Sequence, residues 1–441
     1  MSEDRKRKFL QSNLLLRVLS ENEDLRGSEV VRCSLEVPSN LDGFMATIYS
    51  LSVTVRNEET HEISELSLLV KVMKGDDKFR RESLGLILFP NEINVYKNII
   101  PAFKQMITKQ KANIDFKTWN PRVFFSEQGL FPQYSDQFET ILVMQNAQVD
   151  GFMSGPRLDL DEMHLTLMIK KIAQFHACSY ALRIIENGKL NQMVEKIIPL
   201  NFIQDGKVFF ESYDMVFRAT QKRMFDYFDS IRDQLGDSEV FADIDMLRKL
   251  YLNNPSQLMQ RCLRRDDIYS VILHGDYNRN NVLFKYVDGS PTDVIMIDFQ
   301  ENRFGCPALD LSFFMYMNMN EEVRNSHWDE LLCCYHAELL RCILEITKLP
   351  STDDRLEPYR FHKMMAHLSQ FFIYGAIIAV KFLPVIMGSQ KDVDEIVHYF
   401  YNDIHAEEFK QALIRSGGED ANRRIAGLMM HCSKKGYLKF L

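Results

Sequence analysis

Asp276, Asn281 and Asp298, introduced by His274, are the residues of this 441-residue chain whose types and spacing could do chemistry. They stand in His274-Gly275-Asp276, with Asn281 close behind, and in Ile297-Asp298-Phe299. Phosphoryl transfer would use such a set, because it asks a protein mainly for positioning and charge neutralisation. Magnesium prefers hard oxygens, a carboxylate or an amide carbonyl, in near-octahedral geometry. Asp298 can bridge metal and phosphates, and Asn281 can offer a neutral oxygen without adding charge. Asp276 can accept the proton of an attacking hydroxyl and orient that hydroxyl. His274 is better suited to bracing the loop than to touching substrate.

Strands must hold these groups in place. Tyr269 to Leu273 reads as a short buried strand, Val282 to Val287 as a second and Asp293 to Ile297 as a third. Asp288-Gly289-Ser290-Pro291 has turn chemistry. The loop then joins two strands, and Asp298 ends the third. The order His-x-Asp-x-x-x-x-Asn, followed by Asp-Phe, is that of a kinase catalytic loop and its metal-binding Asp. Gln300 stands where glycine would be. The bland alternative is a chance set of polar residues in a strand-rich stretch.

A second constellation lies upstream. Ser67 to Met73 is an apolar strand with Lys71 inside it, and a lysine so placed is costly unless paired. Glu92 offers a partner, on a helix expected after Pro90 with Ile93, Tyr96, Ile99 and Ile100 on its apolar face. A strand lysine held by a helix glutamate is how kinases grip nucleotide phosphates. Taken alone, Lys71 reads equally well as a snorkelling edge lysine.

These motifs together resemble the ecdysteroid kinase-like (CHK kinase-like) family of arthropods, within the aminoglycoside phosphotransferase and choline kinase group. The resemblance runs through Leu69-Val70-Lys71-Val72, Phe89 to Tyr96, Ile100-Pro101 and Ile141-Leu142-Val143-Met144. It continues through Ala173 to Ala177, His274 to Phe284, Ile297-Asp298-Phe299-Gln300 and Pro307 to Leu311. It implies an α+β, two-lobed, protein kinase-like fold: a small β-rich N-lobe over 1–148 and a larger, mainly helical C-lobe over 149–441. It implies ATP and Mg2+ as cofactors, Met144 and Gly43 at the nucleotide alongside Lys71 and Glu92, and Asp310 bracing the catalytic loop with His274. Asp-Phe-Gln in place of Asp-Phe-Gly is a trait of the family. Two places depart from its pattern. The phosphate-covering loop has one glycine, Gly43, which suits an ordinary hairpin equally well. The hinge carries Gln145-Asn146 where an acidic pair is usual.

Composition agrees with a globular phosphotransferase. The length suggests two lobes, and 46% apolar with 26% charged residues describes a globular chain. A net charge of −8 with pI near 5.8 argues against a general nucleic-acid or anionic-membrane binder. No signal peptide or membrane span is expected, and no protein partner is evident. Eight cysteines without zinc-type spacing read as reduced, buried thiols of a cytoplasmic protein. A helix is expected over 5–25, strands over 30–75, helices over 79–112 and strands again over 121–145. Asp150 to Pro156 reads as a turn at the lobe boundary, followed by a long helix over Asp159 to Glu186. Helices then fill 206–265 and nearly everything beyond Asp310. Phe371 to Val380, closed by Lys381 and Pro384, reads as a buried helix. His176 reads as a core histidine.

The acceptor is less legible. The resemblance implies a small hydroxylated molecule, with ecdysteroid-like steroids and plant or xenobiotic alcohols, hence detoxification, as its range. Met315, Tyr316, Met317, Met319, Phe371, Phe372 and Tyr374 could line an apolar pocket, but such stripes are more often plain core. A choline-like acceptor would instead need an aromatic cage with carboxylates around a cation. Tyr277 and Arg279 suit either substrate contact or packing. The rival reading of the whole chain is a catalytically weak or inactive binding protein on a kinase scaffold, motivated by the single-glycine loop and the altered hinge. Joint retention of Lys71, Glu92, Asp276, Asn281 and Asp298 speaks against it.

Overall fold

Period-2 alternation in the first third of the chain produces five strands: β1 (Ser28–Glu36), β2 (Ala46–Asn57), β3 (Ile63–Met73), β4 (Val123–Leu130) and β5 (Phe138–Gln145). The computed structural model describes residues 3–37, 46–209, 211–236 and 238–440. The five strands form one antiparallel sheet in the order β1-β2-β3-β5-β4. Successive side chains of a strand take opposite faces, and the two faces serve different cores. Leu68, Val70 and Val72 of β3 join Ile141 and Val143 of β5 in a core with the N-terminal helices. Leu142 and Met144 face the large core instead.

The helix expected over 5–25 is α1 (Glu3–Lys8), a π-helical stretch Phe9–Leu14, α2 (Leu15–Glu21) and a 3-10 turn Glu23–Leu25. Leu10, Leu14 and Val18 are fully buried against the sheet. The expected helical region 79–112 is α3 (Asp77–Glu82), α4 (Gly85–Asn94) and α5 (Ile100–Lys109). It breaks at Leu84, whose φ of +63° is left-handed. The helix carrying Glu92 starts at Gly85, so Pro90 lies inside it rather than ahead of it.

The remaining strands are short. They are β6 (Phe152–Met153), β7 (Ile203–Gln204), β8 (Lys207–Val208), β9 (Val271–Leu273), β10 (Val282–Val287), β11 (Ser290–Met296) and β12 (Arg303–Gly305). Three expectations are corrected here. The segment 150–156 is not all turn, because β6 pairs with β10. The β10–β11 turn is only Asp288-Gly289, at φ +50° and +77°, and Ser290 and Pro291 already belong to β11. This is the two-residue hairpin that Asp-Gly favours. The segment after Asp298 also has an unforeseen strand, β12, which pairs with β9.

Helices make up most of the rest: α6 (Glu162–Val194), α7 (Glu211–Leu235), α8 (Ser238–Asn253), α9 (Pro255–Cys262), α10 (Ala308–Asn318) and α11 (Glu321–Thr347). They continue as α12 (Phe361–Leu368), α13 (Ile373–Met387), α14 (Gln390–Asn402), α15 (Glu407–Arg415) and α16 (Gly418–Lys434). The whole is α+β, with a β-rich N-terminal sheet and a helical C-terminal part. Helix α6 outruns its expected end and bends there, at Glu186.

Pro384 does not close α13, which runs on to Met387. A proline in the last turn forfeits one helical bond, while burial of Leu383 and Pro384 holds the turn in place. Helices α10 and α13 touch backbone to backbone. A Cβ on Gly375 would lie 2.1 Å from the Ser312 carbonyl carbon, and the Gly375 amide donates to the Ser312 hydroxyl at 3.0 Å. The Met and aromatic stripe from Met315 to Tyr374 is buried in this core. Among the described residues no single helix is long and apolar enough to cross a membrane. All eight cysteines are free, but Cys333 is exposed and Cys33 and Cys334 are half-buried, so the expectation of buried thiols fails for those three.

One buried histidine gives stability an acid limb. His431 Nδ1 and the Tyr316 hydroxyl are 3.0 Å apart in the core. Burial, then the charges of Arg324, Lys435 and Lys434, push the imidazole from 6.5 down to about 3. The unfolded chain therefore binds this proton first as pH falls. Stability present above pH 6.5 is lost toward pH 3, at up to about 1.4 kcal/mol per pH unit. His431→Gln cannot take the proton and is expected to flatten that limb, read as denaturant midpoint against pH.

Candidate active site

Lys71 sits near the end of β3, and the pleat turns it toward the cleft beside Leu69 rather than into the N-terminal core. Its ammonium lies 2.8 Å from Glu92 on α4 and 2.7 Å from Asp298 just past β11. Three elements far apart in sequence thus meet at one cation. Burial pushes the Lys71 pKa down, but the charges of Asp298 and Glu92 outweigh it and raise it above the usual lysine value. Burial pushes the Glu92 carboxyl up to about 7, against the pull of Lys71 and with the Asp298 charge adding to the rise. Tyr96, one turn beyond Glu92, packs edge-on against Phe299 at 5.6 Å. Phe299 in turn lies against His274 and Phe175. This aromatic stack docks α4 onto the Asp298 segment.

The loop between β9 and β10 is held from behind. Asp310, at the start of α10, accepts the backbone N–H of His274 at 2.8 Å and of Gly275 at 2.9 Å. Its carboxylate also meets His176 Nε2 at 3.1 Å, and His176 Nδ1 meets the Tyr335 hydroxyl. His176 is thus the packed histidine expected. His274 is fully buried and turns Nε2 to the Ile297 carbonyl at 3.0 Å, which ties the loop to the Asp298 segment. Gly275 has φ +90°, and a Cβ there would lie 1.9 Å from the Glu301 carbonyl oxygen. Only glycine fits that approach. Tyr277 is buried, its hydroxyl donating to the Met168 carbonyl, so the packing reading holds for it.

The loop presents Asp276 with both carboxylate oxygens engaged. Asn278 donates to one at 2.8 Å and Asn281 to the other at 2.7 Å. Burial, then the charges of Glu301 and Asp298, push the Asp276 carboxyl up to about 8. Asn281 also donates to the Asp276 carbonyl, so its amide nitrogen is spent on the loop and its Oδ1 stays available. Asp298 takes φ +62°, a left-handed conformation that Asp tolerates better than most residues. One of its oxygens holds Lys71, which leaves the other. A carboxylate and an amide oxygen are the donor set that suits a magnesium ion whose other ligands are phosphates and water.

Two pockets open on either side of this set. One, of about 290 Å³, is lined by Leu69, Lys71, Glu92, Met144, Leu283 and Asp298 among others. Its hinge rim is fixed by side chains, with Gln145 donating to Asp150 and Asn146 to the Ser67 hydroxyl. The other is lined by Asp276, Tyr213, Glu301, Arg303, Tyr374 and Lys381, with Leu88 of α4 and its N-cap residue Leu84 above them. It holds about 30 Å³ of open space, room for one or two waters. Helix α4 therefore reaches both pockets. Between them, the Asn91 side chain clasps Ile198 by two bonds of 2.9 Å, one to its carbonyl and one from its N–H.

The structure brings together Lys71, Glu92, Asp298, Asn281, Asp276, His274, Asp310 and Met144. Gly43 lies outside the described residues. Sequence reasoning missed Glu301, Arg303, Tyr213 and Lys381. Lys381 did carry a signal, as a lone charge at the end of an apolar run, but the run's pattern has it closing a helix that it lies within.

Residues 40–348 match the family described as the ecdysteroid kinase-like family. None of the curated proteins shows a significant match. Among solved structures, the chain is similar to Plasmodium vivax ethanolamine kinase, with 13% identity and a TM-score of 0.34, covering 91% of this chain and 83% of the other. It is also similar to the GDP complex of an aminoglycoside 2'-phosphotransferase-IIIa, with 9% identity and a TM-score of 0.35, covering 94% and 98%. Likeness at such scores carries no functional weight, which rests on the family match and the geometry of the site.

Proposed function

Because this chain belongs to the ecdysteroid kinase-like family, we propose that it transfers the γ-phosphate of ATP to a hydroxyl of a small organic acceptor, an ecdysteroid-like or xenobiotic alcohol. The observation that carries this reading is the Lys71 ammonium held at 2.8 Å by Glu92 and 2.7 Å by Asp298. Such a fixed cation suits the α- and β-phosphates of a nucleotide. In this reading residues 1–148 grip the nucleotide, with Met144 beside the base and Gly43 serving the phosphates. Residues 149–441 supply the loop and most of the acceptor pocket, with Leu84 and Leu88 completing its wall.

Asn281 Oδ1 and the free oxygen of Asp298 would hold magnesium. A magnesium ion held there would supply positive charge to neutralise the transferring group. Asp276 faces the acceptor pocket and takes the hydroxyl proton. Its raised pKa makes it a stronger base than an ordinary carboxylate. Asn278 and Asn281 fix its orientation, and His274 and Asp310 fix the loop beneath it. The rival, a binding protein without turnover, leaves the joint presence of base, metal ligands and ion-paired lysine without a purpose.

The test is a transfer panel. With magnesium-ATP, formation of ADP and phosphorylated product is expected with at least one hydroxylated steroid or lipophilic alcohol. Nucleotide binding without turnover on any acceptor would favour the binding-protein reading. No nucleotide binding with metal supplied would remove the kinase reading and the roles of Lys71 and Asp298 with it.

A further inference from the structure

The second pocket contains a cation of its own. Lys381, on the buried face of α13, is 8% exposed. Its ammonium lies 3.4 Å from the centre of the Tyr213 ring, 4.6 Å from Phe382 and 5.4 Å from Phe217. Among the described residues no hydrogen bond or ion pair engages it. Asp276 and Glu301 line the same pocket. Three aromatic faces with carboxylates nearby are what a protein builds to bind an ammonium ligand. Here the chain's own side chain sits in that position.

From this the geometry points to Lys381 as a specificity-determining residue, a built-in occupant that excludes acceptors with a cationic head group. That Asp276 faces the acceptor rests on the proposed kinase reading; the filled cage does not.

Two further observations agree. Burial pushes the Lys381 amine down to about 7, against the pull of Glu301 and Asp276. A lysine already hard to charge is a poor neighbour for a second cation. Arg303 is also buried at this pocket, with Nη2 on Glu301 at 3.1 Å and Nη1 without a partner. Arg303 thus offsets one of the two carboxylates, and an unused guanidinium nitrogen favours a ligand that brings an oxygen rather than an ammonium.

Removing the occupant tests this by gain of binding. Tetramethylammonium is titrated calorimetrically into the wild type, Lys381→Ala, Lys381→Ser and Lys381→Ala/Tyr213→Ala, with tert-butanol as the uncharged match in shape. The expected result is saturable tetramethylammonium binding to the single variants, on the order of tenfold or more tighter than to the wild type and than tert-butanol. The double variant should lose that gain. Thermal melting identifies which variants are folded, and either folded single variant suffices. If both misfold, the wild type decides: saturable tetramethylammonium binding, or phosphorylation of choline or ethanolamine, overturns the inference, and absence of both upholds it. Equal affinity in wild type and a folded single variant, or a gain that survives Tyr213→Ala, overturns it as well. Magnesium-ATP titration of the same samples reports separately on the kinase reading, because the cage measurement needs no nucleotide and no turnover.

Discussion

Asp276→Asn is expected to lower turnover about 10²–10⁴-fold, the range a positioned general base supplies, while leaving nucleotide affinity unchanged. Asp276 lines one pocket, and the pocket around Lys71 and Met144, proposed for the nucleotide, is built from other residues. The substitution keeps shape and removes the basic oxygen pair. It also turns an amide nitrogen toward Asn278 or Asn281, both of which donate to the native carboxylate. Thermal melting must therefore accompany the kinetics. A folded variant that turns over within about tenfold of wild type would leave Asp276 without the role of base, since tenfold is only about 1.4 kcal/mol of barrier.

Asp310→Ala should cost about 2–6 kcal/mol of folding stability, about 1–3 for each of the two backbone donors left without an acceptor. The carboxylate is 1% exposed and satisfies two backbone donors and one histidine. Burial would push its pKa up, but the His176 hydrogen bond and the charges of His176 and His274, with the Gly275 amide, pull it below 3.8. Alanine leaves the His274 and Gly275 amides buried without an acceptor. Denaturant unfolding measures the loss directly. A change under about 1 kcal/mol, an ordinary point-mutation effect, would mean that the loop does not depend on this brace.

Much of the fold and site is legible in the sequence, for physical reasons. Strands such as Val282–Val287 announce themselves by period and by an Asp-Gly turn. Polar residues at fixed spacing between such strands have few structural excuses. Asp310 in an apolar helix start and Lys71 in an apolar strand stand out as burial costs that need partners. What escapes is set by tertiary contact. Strand β12 is three residues long and exists because β9 lies beside it. The pocket at Asp276 draws Tyr213, the Glu301–Arg303 pair and Lys381 from three separate stretches, and no local pattern links the three. Pro384 misleads because the rule that proline ends a helix yields to burial in a last turn.

Helix α4 carries Leu88 at one pocket, beside Leu84 at its cap, and Glu92 at the other, with Asn91 clamped to Ile198 between them. A tilt that draws Glu92 away from Lys71 must therefore also shift the wall over Asp276. If nucleotide favours one tilt, the acceptor's affinity changes by some factor on nucleotide binding, and the nucleotide's changes by the same factor on acceptor binding. The two substrates would then be thermodynamically linked through a single lever, without touching each other.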